Sequence, residues 1–459
     1  MSKPLGLLYT GNALEILKTL PDESVQMCVT SPPYWGLRDY KTEPVIWGGD
    51  VGCSHDWTVD ERKPQSGGTG AASSKQLTNR GTTNSQESLL SGECLFCNAW
   101  KGSLGNEPTP ELFTEHLVMI FREARRVLRN DGTLWVVIGD TYFGGGRGGN
   151  PEGSVHQKQK TNAGSITVKN NKLSISSGCK PKDLVGIPWM LAFALRSDGW
   201  WLRQDILWSK KNPMPSSVTD RCVTSHEYVF LLSKSSNYYF DHIVIREPAV
   251  AYAKGKRSVS IGSKSLSRGQ STGAGVAPSG NALVSDVALN PMRNKRSVWT
   301  LSSKPFKGSH FATFPETLVE PMILAGTSEY GACAACGTPY TRKIERCESI
   351  PDITQRSTDH YNTADRYGAD NGGNAGLDNL AKRMRDGKNG IITVDWVAGC
   401  SCNSSTRPCT VLDCFSGAAT TGKVALSLGR EYIGIEANSD YNEIARKRLL
   451  DAGLDVEVI

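Results

Sequence analysis

CTVLDCFSGAATTG, residues 409–422, followed by YIGIE, residues 432–436, reads as strand, glycine-containing turn, helix and strand. The strand runs through Cys409–Cys414, the helix through Thr421–Leu428, the second strand through Tyr432–Glu436, and a further helix from about Asp440 to Leu450. That succession is a βαβ unit of an open α/β sheet. Ligands of such sheets bind outside the carboxyl ends of the strands, near a helix N-terminus. Gly417, Ala418 and Ala419 are small enough to let the backbone approach a ligand, and Glu436 ends the next strand where it can accept from a diol such as a ribose. A nucleotide-like ligand is the physical reading, and a tight turn holding nothing is its competitor. A phosphate cradle is excluded, because Lys423 follows Gly422 but Val424 stands where Ser or Thr is required.

At the other end of the chain, Val25–Thr30 is an apolar strand broken by Ser31-Pro32-Pro33-Tyr34. Two prolines fix two φ angles and remove two donors, giving a rigid turn with carbonyls available to a substrate. Ser31 offers a hydroxyl acceptor and Tyr34 a flat stacking face. An aromatic amino group is a poor nucleophile because its lone pair is delocalised into the ring. Two acceptors holding its hydrogens favour a tetrahedral nitrogen and direct the lone pair at an electrophile. The competing reading is an ordinary Pro-Pro turn with a buried tyrosine.

Between these ends, a helix is expected from Thr109-Pro110, with Leu117, Phe121, Ala124 and Leu128 on one face and Asn130-Asp131-Gly132 as its stop. Thr133–Ile138 reads as a strand, Leu184–Leu195 as an apolar helix, and Gln204–Trp208 as a strand. Residues 61–92 and 341–395 read as loop-rich insertions. Residues 143–182 carry seven basic side chains against the single acid Glu152, and residues 250–300 carry eight against Asp286. Over all 459 residues, 52 basic and 46 acidic side chains leave a net charge of +6, which permits nucleic-acid binding without demanding it. The chain lacks an apolar run long enough to span a bilayer, and Met1-Ser2-Lys3-Pro4 lacks the apolar stretch of a secretory signal. A cytoplasmic enzyme is the expectation.

The two ends together resemble one family. TSPPYW at Thr30–Trp35 resembles the catalytic motif of DNA N4-cytosine and N6-adenine amino-methyltransferases, and DCFSGAATTG at Asp413–Gly422 resembles their cofactor motif, D-P-F-x-G-S-G-T-T. Catalytic motif first and cofactor motif last is the order of the beta group. His310-Phe311-Ala312-Thr313-Phe314-Pro315 is similar to the segment covering the methionine part of the cofactor, and Asp131–Tyr142 and Arg203–Pro215 resemble further sheet elements. Cys414 departs from the family's Pro, and Ala418-Ala419 from its Ser-Gly. Thr10-Gly11-Asn12-Ala13 resembles a segment that ends Gly-Asp in the family; Asn12 offers an uncharged amide oxygen to the adenine amino group.

The resemblance implies a doubly wound, mostly parallel sheet of the class I S-adenosylmethionine-dependent methyltransferase type, with inserted subdomains and a DNA-recognition region. It implies S-adenosylmethionine as cofactor and double-stranded DNA as partner. Ser31 and the Pro32 carbonyl would hold the target amino group within the rigid turn that Pro33 completes, and Tyr34 would stack on a flipped base, offsetting the few kcal/mol that flipping costs. Asp413, Phe415 and Gly417 would surround the cofactor's methionine end, Glu436 would bind its ribose, and Phe314 would pack against it. Trp35 reads as core or pocket wall. Serine at the first tetrad position leans towards cytosine N4 over adenine N6. A homodimer and a cognate restriction endonuclease are further partners such a group accommodates.

Thirteen cysteines in a cytosolic chain point to metal more than to disulfides. Cys53, His55, Cys94 and Cys97 form one set of four soft ligands, and Cys333, Cys336, Cys400 and Cys402 another. Each set suits one tetrahedral structural Zn²⁺, and each flanks an insertion with little core of its own. Cysteines that never meet are the competing reading. With every position filled by protein, neither site is that of a zinc deaminase, which needs H-x-E and P-C-x-x-C; Ala332 precedes the second CxxC here. The expected division is 1–50 and 109–240 as methyltransferase core, 51–108 and 333–408 as zinc-bearing insertions, 241–305 as target recognition, 306–332 as the cofactor-covering segment, and 409–459 as the cofactor-binding core. Two other classes compete: a methyltransferase of RNA or a protein amide, opposed by Ser31 in place of Asn, and a zinc-bearing DNA-binding protein without activity, opposed by the intact motifs.

Overall fold

The computed structural model describes residues 4–36, 42–58, 92–143, 178–213, 215–248, 292–302, 314–346 and 391–459. The chain divides into two compact units, one of Met1–Tyr239, Ser297–Pro339 and Ser404–Ile459, the other of Phe240–Arg296 and Tyr340–Asn403.

The first unit is built on a nine-stranded sheet. Its strands are β1 (Leu5–Thr10), β2 (Val25–Thr30), β3 (Leu128–Ile138), β4 (Trp201–Lys210), β5 (His226–Ser233), β6 (Val298–Leu301), β7 (Thr410–Asp413), β8 (Glu431–Glu436) and β9 (Asp455–Val458). They lie in the order β6-β4-β5-β3-β2-β7-β8-β1-β9. Every neighbouring pair is parallel except those that β5 makes with β3 and β4. This is the doubly wound, mostly parallel sheet that the sequence implies. All of β2 and β7 is buried, as for strands covered on both faces.

Helices α1 (Ala13–Thr19), α2 (Pro110–Val127) and α3 (Ile187–Ser197) cover one face, while α4 (Glu316–Gly326), α5 (Thr420–Ser427) and α6 (Ser439–Asp451) cover the other. Side chains alternate across β3: Leu134, Val136 and Ile138 join the core of α2 and α3, whereas Thr133 and Trp135 face Gly326 of α4 and Trp299. Thr109 caps α2 through Leu112 N at 3.2 Å, with Pro110 in the first turn. Its buried Phe113, Leu117, Ile120, Phe121 and Ala124 form the apolar stripe; each large one is worth about 1.5–3 kcal/mol of burial. On the same helix, Arg126 bonds Leu17 O at 2.7 Å and Leu20 O at 3.0 Å, satisfying carbonyls at the end of α1. Across the sheet, Glu316 of α4 joins Lys423 of α5 at 2.8 Å and Arg448 of α6 at 3.0 Å.

One boundary differs from expectation. Leu128 fits the helical stripe of α2, yet it opens β3, because its extended backbone (ψ 140°) pairs with Val25 across a bulge. A small antiparallel sheet of Val45–Trp47, Gly92–Glu93 and Trp100–Gly102 also belongs to this unit. Its Trp47 and Trp100 stack on His116 of α2 at 4.6 and 5.4 Å.

In the second unit, Tyr340–Arg346 pairs antiparallel with Ile391–Ala398. Sequence reading gave a loop-rich insertion over 341–395, although Ile392, Val394 and Trp396 alternate with Thr393 and Asp395, and the strand they form has no fully buried position. Arg342 anchors it, bonding Asp241 Oδ2 at 3.0 Å and lying over Trp396. Among the described residues no helix is long and apolar enough to cross a membrane.

Candidate active site

Although about 380 residues separate the two motifs in sequence, the sheet brings them together. Residues 25–30 and 410–413 are neighbouring parallel strands at its centre, so the turns Ser31–Tyr34 and Cys414–Ala419 leave the same carboxyl edge side by side. Both open on one cavity of about 290 Å³, a size suited to a small ligand. Gly11–Ala13 and Phe314 complete the walls. Two carboxylates, Glu43 and Glu436, line it, and among the described lining residues there is no Lys or Arg. Such a lining suits a ligand of net positive charge better than a phosphate.

The cofactor turn is held by its own neighbourhood. Gly417 takes a left-handed φ of +51°, which turns its N–H to Glu436 Oε2 at 2.9 Å. Glu436 Oε1 accepts from Asn438 N at 2.9 Å. Burial pushes the Glu436 carboxyl up to about 6 despite these donors. Ser416 Oγ and Tyr432 OH pair at 2.8 Å beneath the turn. Phe415 lines the cavity and meets Phe121 edge-on.

Two expected ligand contacts are relocated. Asp413 is fully buried and does not line the cavity. As the last residue of its strand it turns into the seam between the motifs, where Oδ1 accepts from Thr30 Oγ1 at 2.6 Å and Phe415 N at 3.1 Å. Its Oδ2 makes no hydrogen bond among the described residues, and burial pushes the carboxyl up to about 6 although the Thr30 and Thr421 hydroxyls pull it down. Cys28 and Cys414 lie in the same seam with sulfurs 3.8 Å apart. Asn12 lines the cavity, but its Oδ1 already caps α1 through Leu14 N at 2.8 Å and Glu15 N at 3.3 Å. The oxygen expected to serve an adenine amino group is spent on the helix, because Asn12 is the residue at which α1 begins.

On the catalytic side, Ser31 through Tyr34 all line the cavity. Ser31 Oγ makes no hydrogen bond among the described residues. Tyr34 OH donates to Glu227 Oε2 at 2.8 Å. Trp35 is core, its indole N–H donating to Glu107 O at 2.9 Å.

Sequence reading missed Thr42, Glu43, Val45 and Trp47, just ahead of the first insertion, Leu104 within it, and Tyr441 from α6, all of which line the cavity. They lie outside both motifs, and no local pattern points them at the site. In the same insertion Cys53, His55, Cys94 and Cys97 converge, with all four ligand atoms within 4.8 Å of one another. Cys53 Sγ and Cys94 Sγ are 3.7 Å apart, and Cys97 Sγ and His55 Nδ1 3.4 Å. His55 N and Phe96 N each donate to the cysteine sulfur two residues before, at 3.4 Å. Of the second set, Cys333 and Cys336 belong to the first unit and Cys400 and Cys402 to the second. Residues 144–177, 249–291 and 303–313 lie outside the described residues, and with them most of both basic segments, most of the recognition region, and His310–Thr313.

A family model of DNA methylases of the N6/N4 type matches residues 25–334 and 403–447. Type II methyltransferase M.Cfr9I of Citrobacter freundii is 37% identical over 330 residues, 71% of this chain and 75% of that protein. M.SmaI of Serratia marcescens is 29% identical over 443 residues, 96% of this chain and 90% of that protein. Among solved structures, the cytosine-N4-specific PvuII DNA methyltransferase aligns over 99% of this chain and 91% of that one, at 13% identity and a TM-score of 0.43.

Proposed function

The chain belongs to the N6/N4 family of DNA methylases, S-adenosylmethionine-dependent enzymes that methylate exocyclic amino groups of DNA bases, and on that premise we propose that it methylates cytosine N4 at a specific duplex sequence. The observation that carries the reading is the shared cavity, into which the Ser31–Tyr34 turn and the cofactor turn both open. Ser31 Oγ and the Pro32 carbonyl serve as the two acceptors for the amino hydrogens, so that the nitrogen lone pair is presented to the donor methyl. Tyr34 stacks on the flipped base. The cofactor supplies a methyl group on a positively charged sulfur, and the carboxylates Glu43 and Glu436 favour that charge. Glu436 holds the ribose, and Phe314 and Phe415, which both line the cavity, pack against the cofactor. Serine at position 31 supports cytosine over adenine. The type II character of both relatives supports a restriction endonuclease of the same specificity as partner in the cell.

We propose further that Cys53, His55, Cys94 and Cys97 hold a structural zinc. Ligands about 2.3 Å (S) and 2.1 Å (N) from a tetrahedral centre stand roughly 3.5–3.8 Å apart, near the spacings in this cluster. The metal then clips an insertion that supplies one wall of the cavity.

Incubation with mixed-sequence duplex DNA and S-adenosylmethionine, followed by nucleoside mass spectrometry, tests the main reading. N4-methylcytosine is expected, and Ser31→Ala abolishes it. N6-methyladenine instead would keep the mechanism and overturn the base assignment. Absence of any methylated base would favour a substrate other than DNA.

A further inference from the structure

Tyr34 reaches its place by crossing the end of another strand. In the order β2-β3-β5, Gly139 follows β3 and lies between the active turn and β5. A Cβ at Gly139 would stand 2.7 Å from Tyr34 Cε2 and 3.4 Å from Cζ, so the ring occupies a notch that glycine alone leaves. Beyond the notch, Tyr34 OH donates to Glu227 Oε2 at 2.8 Å. Glu227 is the second residue of β5. Because β5 runs antiparallel, its beginning lies at the carboxyl edge of its parallel neighbours, which is where the active turn sits. Lys210, the last residue of β4, bonds the other oxygen, Glu227 Oε1. Its ammonium also lies 4.8 Å from the centre of the Trp208 ring. The Lys210 and Glu227 side chains are only 24% and 18% exposed, so water screens this pair less than a surface pair.

We infer that Glu227 and Lys210 are a positioning pair that pins the Tyr34 ring as the stacking platform for the flipped base, with Gly139 as its seat. The inference rests on the reading of Tyr34 as the base's stacking partner. A tyrosine bonded at its tip and closely backed by Gly139 at Cε2 is held in one orientation before DNA arrives. The base then meets a platform whose ordering cost is already met within the fold. Lys210 aims Glu227 by bonding its other oxygen, so the phenol donates to a carboxylate held in place, the stronger kind of hydrogen bond.

The test is steady-state methylation of unmethylated mixed-sequence DNA by Tyr34→Phe, Glu227→Ala and the double variant, with S-adenosylmethionine affinity measured separately by calorimetry. Each single variant is expected to lower kcat/KM for DNA roughly tenfold, the scale of a hydrogen bond to a charged group. Cofactor affinity stays at the wild-type level. The double variant is no worse than Glu227→Ala, because Glu227 acts through the hydroxyl. Losses that multiply would overturn the proposal, as would a Tyr34→Phe enzyme that works like wild type. Since Glu227→Ala also strands the Lys210 charge, Gly139→Ala gives a second route that leaves both charges in place. It should produce the same DNA-side loss, and wild-type behaviour there would overturn the seat. Tyr34→Ala separates the underlying reading: full activity would refute stacking itself, whereas an inactive Tyr34→Ala beside a fully active Tyr34→Phe would keep stacking and refute the pin.

Discussion

The two sides of the cavity are held in place by different means. On the cofactor side, the restraints are close in sequence: Gly417 to Glu436 spans 19 residues and Ser416 to Tyr432 spans 16. On the catalytic side the tip of Tyr34 is held from Glu227, 193 residues away, and the bond that joins the two sides, Thr30 to Asp413, spans 383. A turn of the first kind carries its own instructions and can be moved along the chain as a unit. A turn of the second kind works only where the complete sheet delivers its partners. A catalytic motif near the N-terminus and a cofactor motif near the C-terminus thus build one site by different means: short-range bonds shape the cofactor turn, and long-range bonds hold the catalytic turn.

The largest test of the difference is Glu436→Ala. It removes the acceptor of both Gly417 N and Asn438 N and takes a carboxylate out of the cavity wall. Two stranded donors near a charged site are expected to cost roughly a hundredfold in S-adenosylmethionine affinity. Because the restraint is local, KM for DNA at saturating cofactor should hardly move. If both parameters fall together, the cofactor turn is not the independent module that its short-range bonds describe.

A smaller effect is expected from the cluster of Cys53, His55, Cys94 and Cys97. Treatment with a strong chelator, or Cys94→Ser, should remove one zinc per chain by elemental analysis and lower the unfolding temperature by several degrees. Trp47 lines the cavity and stacks on His116, so loosening the insertion should raise KM severalfold while α2 keeps the core closed. A Cys94→Ser chain with unchanged zinc content and unchanged KM would remove the insertion from the list of long-range supports.

The same difference decides what could be read from the sequence. The βαβ unit at 409–436 was legible because strand, turn and helix signals follow one another within thirty residues. Ser31–Tyr34 was legible because two prolines after a buried strand are a local event. Glu227, Lys210 and Gly139 were not, since each looks like an ordinary strand residue until β5 is known to run against its neighbours. At Asn12 and Asp413 the sequence names the residue and not the contacts it makes. A helix start claims the Asn12 oxygen, and Asp413 bonds Thr30 in the seam between the neighbouring strands 25–30 and 410–413 instead of lining the cavity. Helix capping is a local rule that competes with ligand binding for the same oxygen, and the competition has no signature in composition or spacing.

The smallest expected effect concerns the bond that joins the two sides, Thr30 Oγ1 to Asp413 Oδ1 at 2.6 Å. Burial raises the Asp413 carboxyl from the ordinary 3.8 to about 6, while the Thr30 hydroxyl pulls it down. With the folded value above the unfolded one, the native chain retains a proton between these limits that the unfolded chain has lost. This contribution to stability is therefore full at the acid end and is lost as pH rises through about 6. Above that, the buried carboxylate depends on its donors, the Thr30 and Thr421 hydroxyls and the Phe415 N–H. Thr30→Val keeps the shape and removes one donor, which raises the Asp413 carboxyl further. Its stability deficit should be about 1–3 kcal/mol at pH 8 and much smaller at about pH 5, where the acid is protonated in both chains. Thermal unfolding at the two pH values measures it. An equal deficit at both would mean that the seam is held by packing of the Thr30 methyl and not by a charge-assisted bond, and the two turns would then be coupled by shape alone.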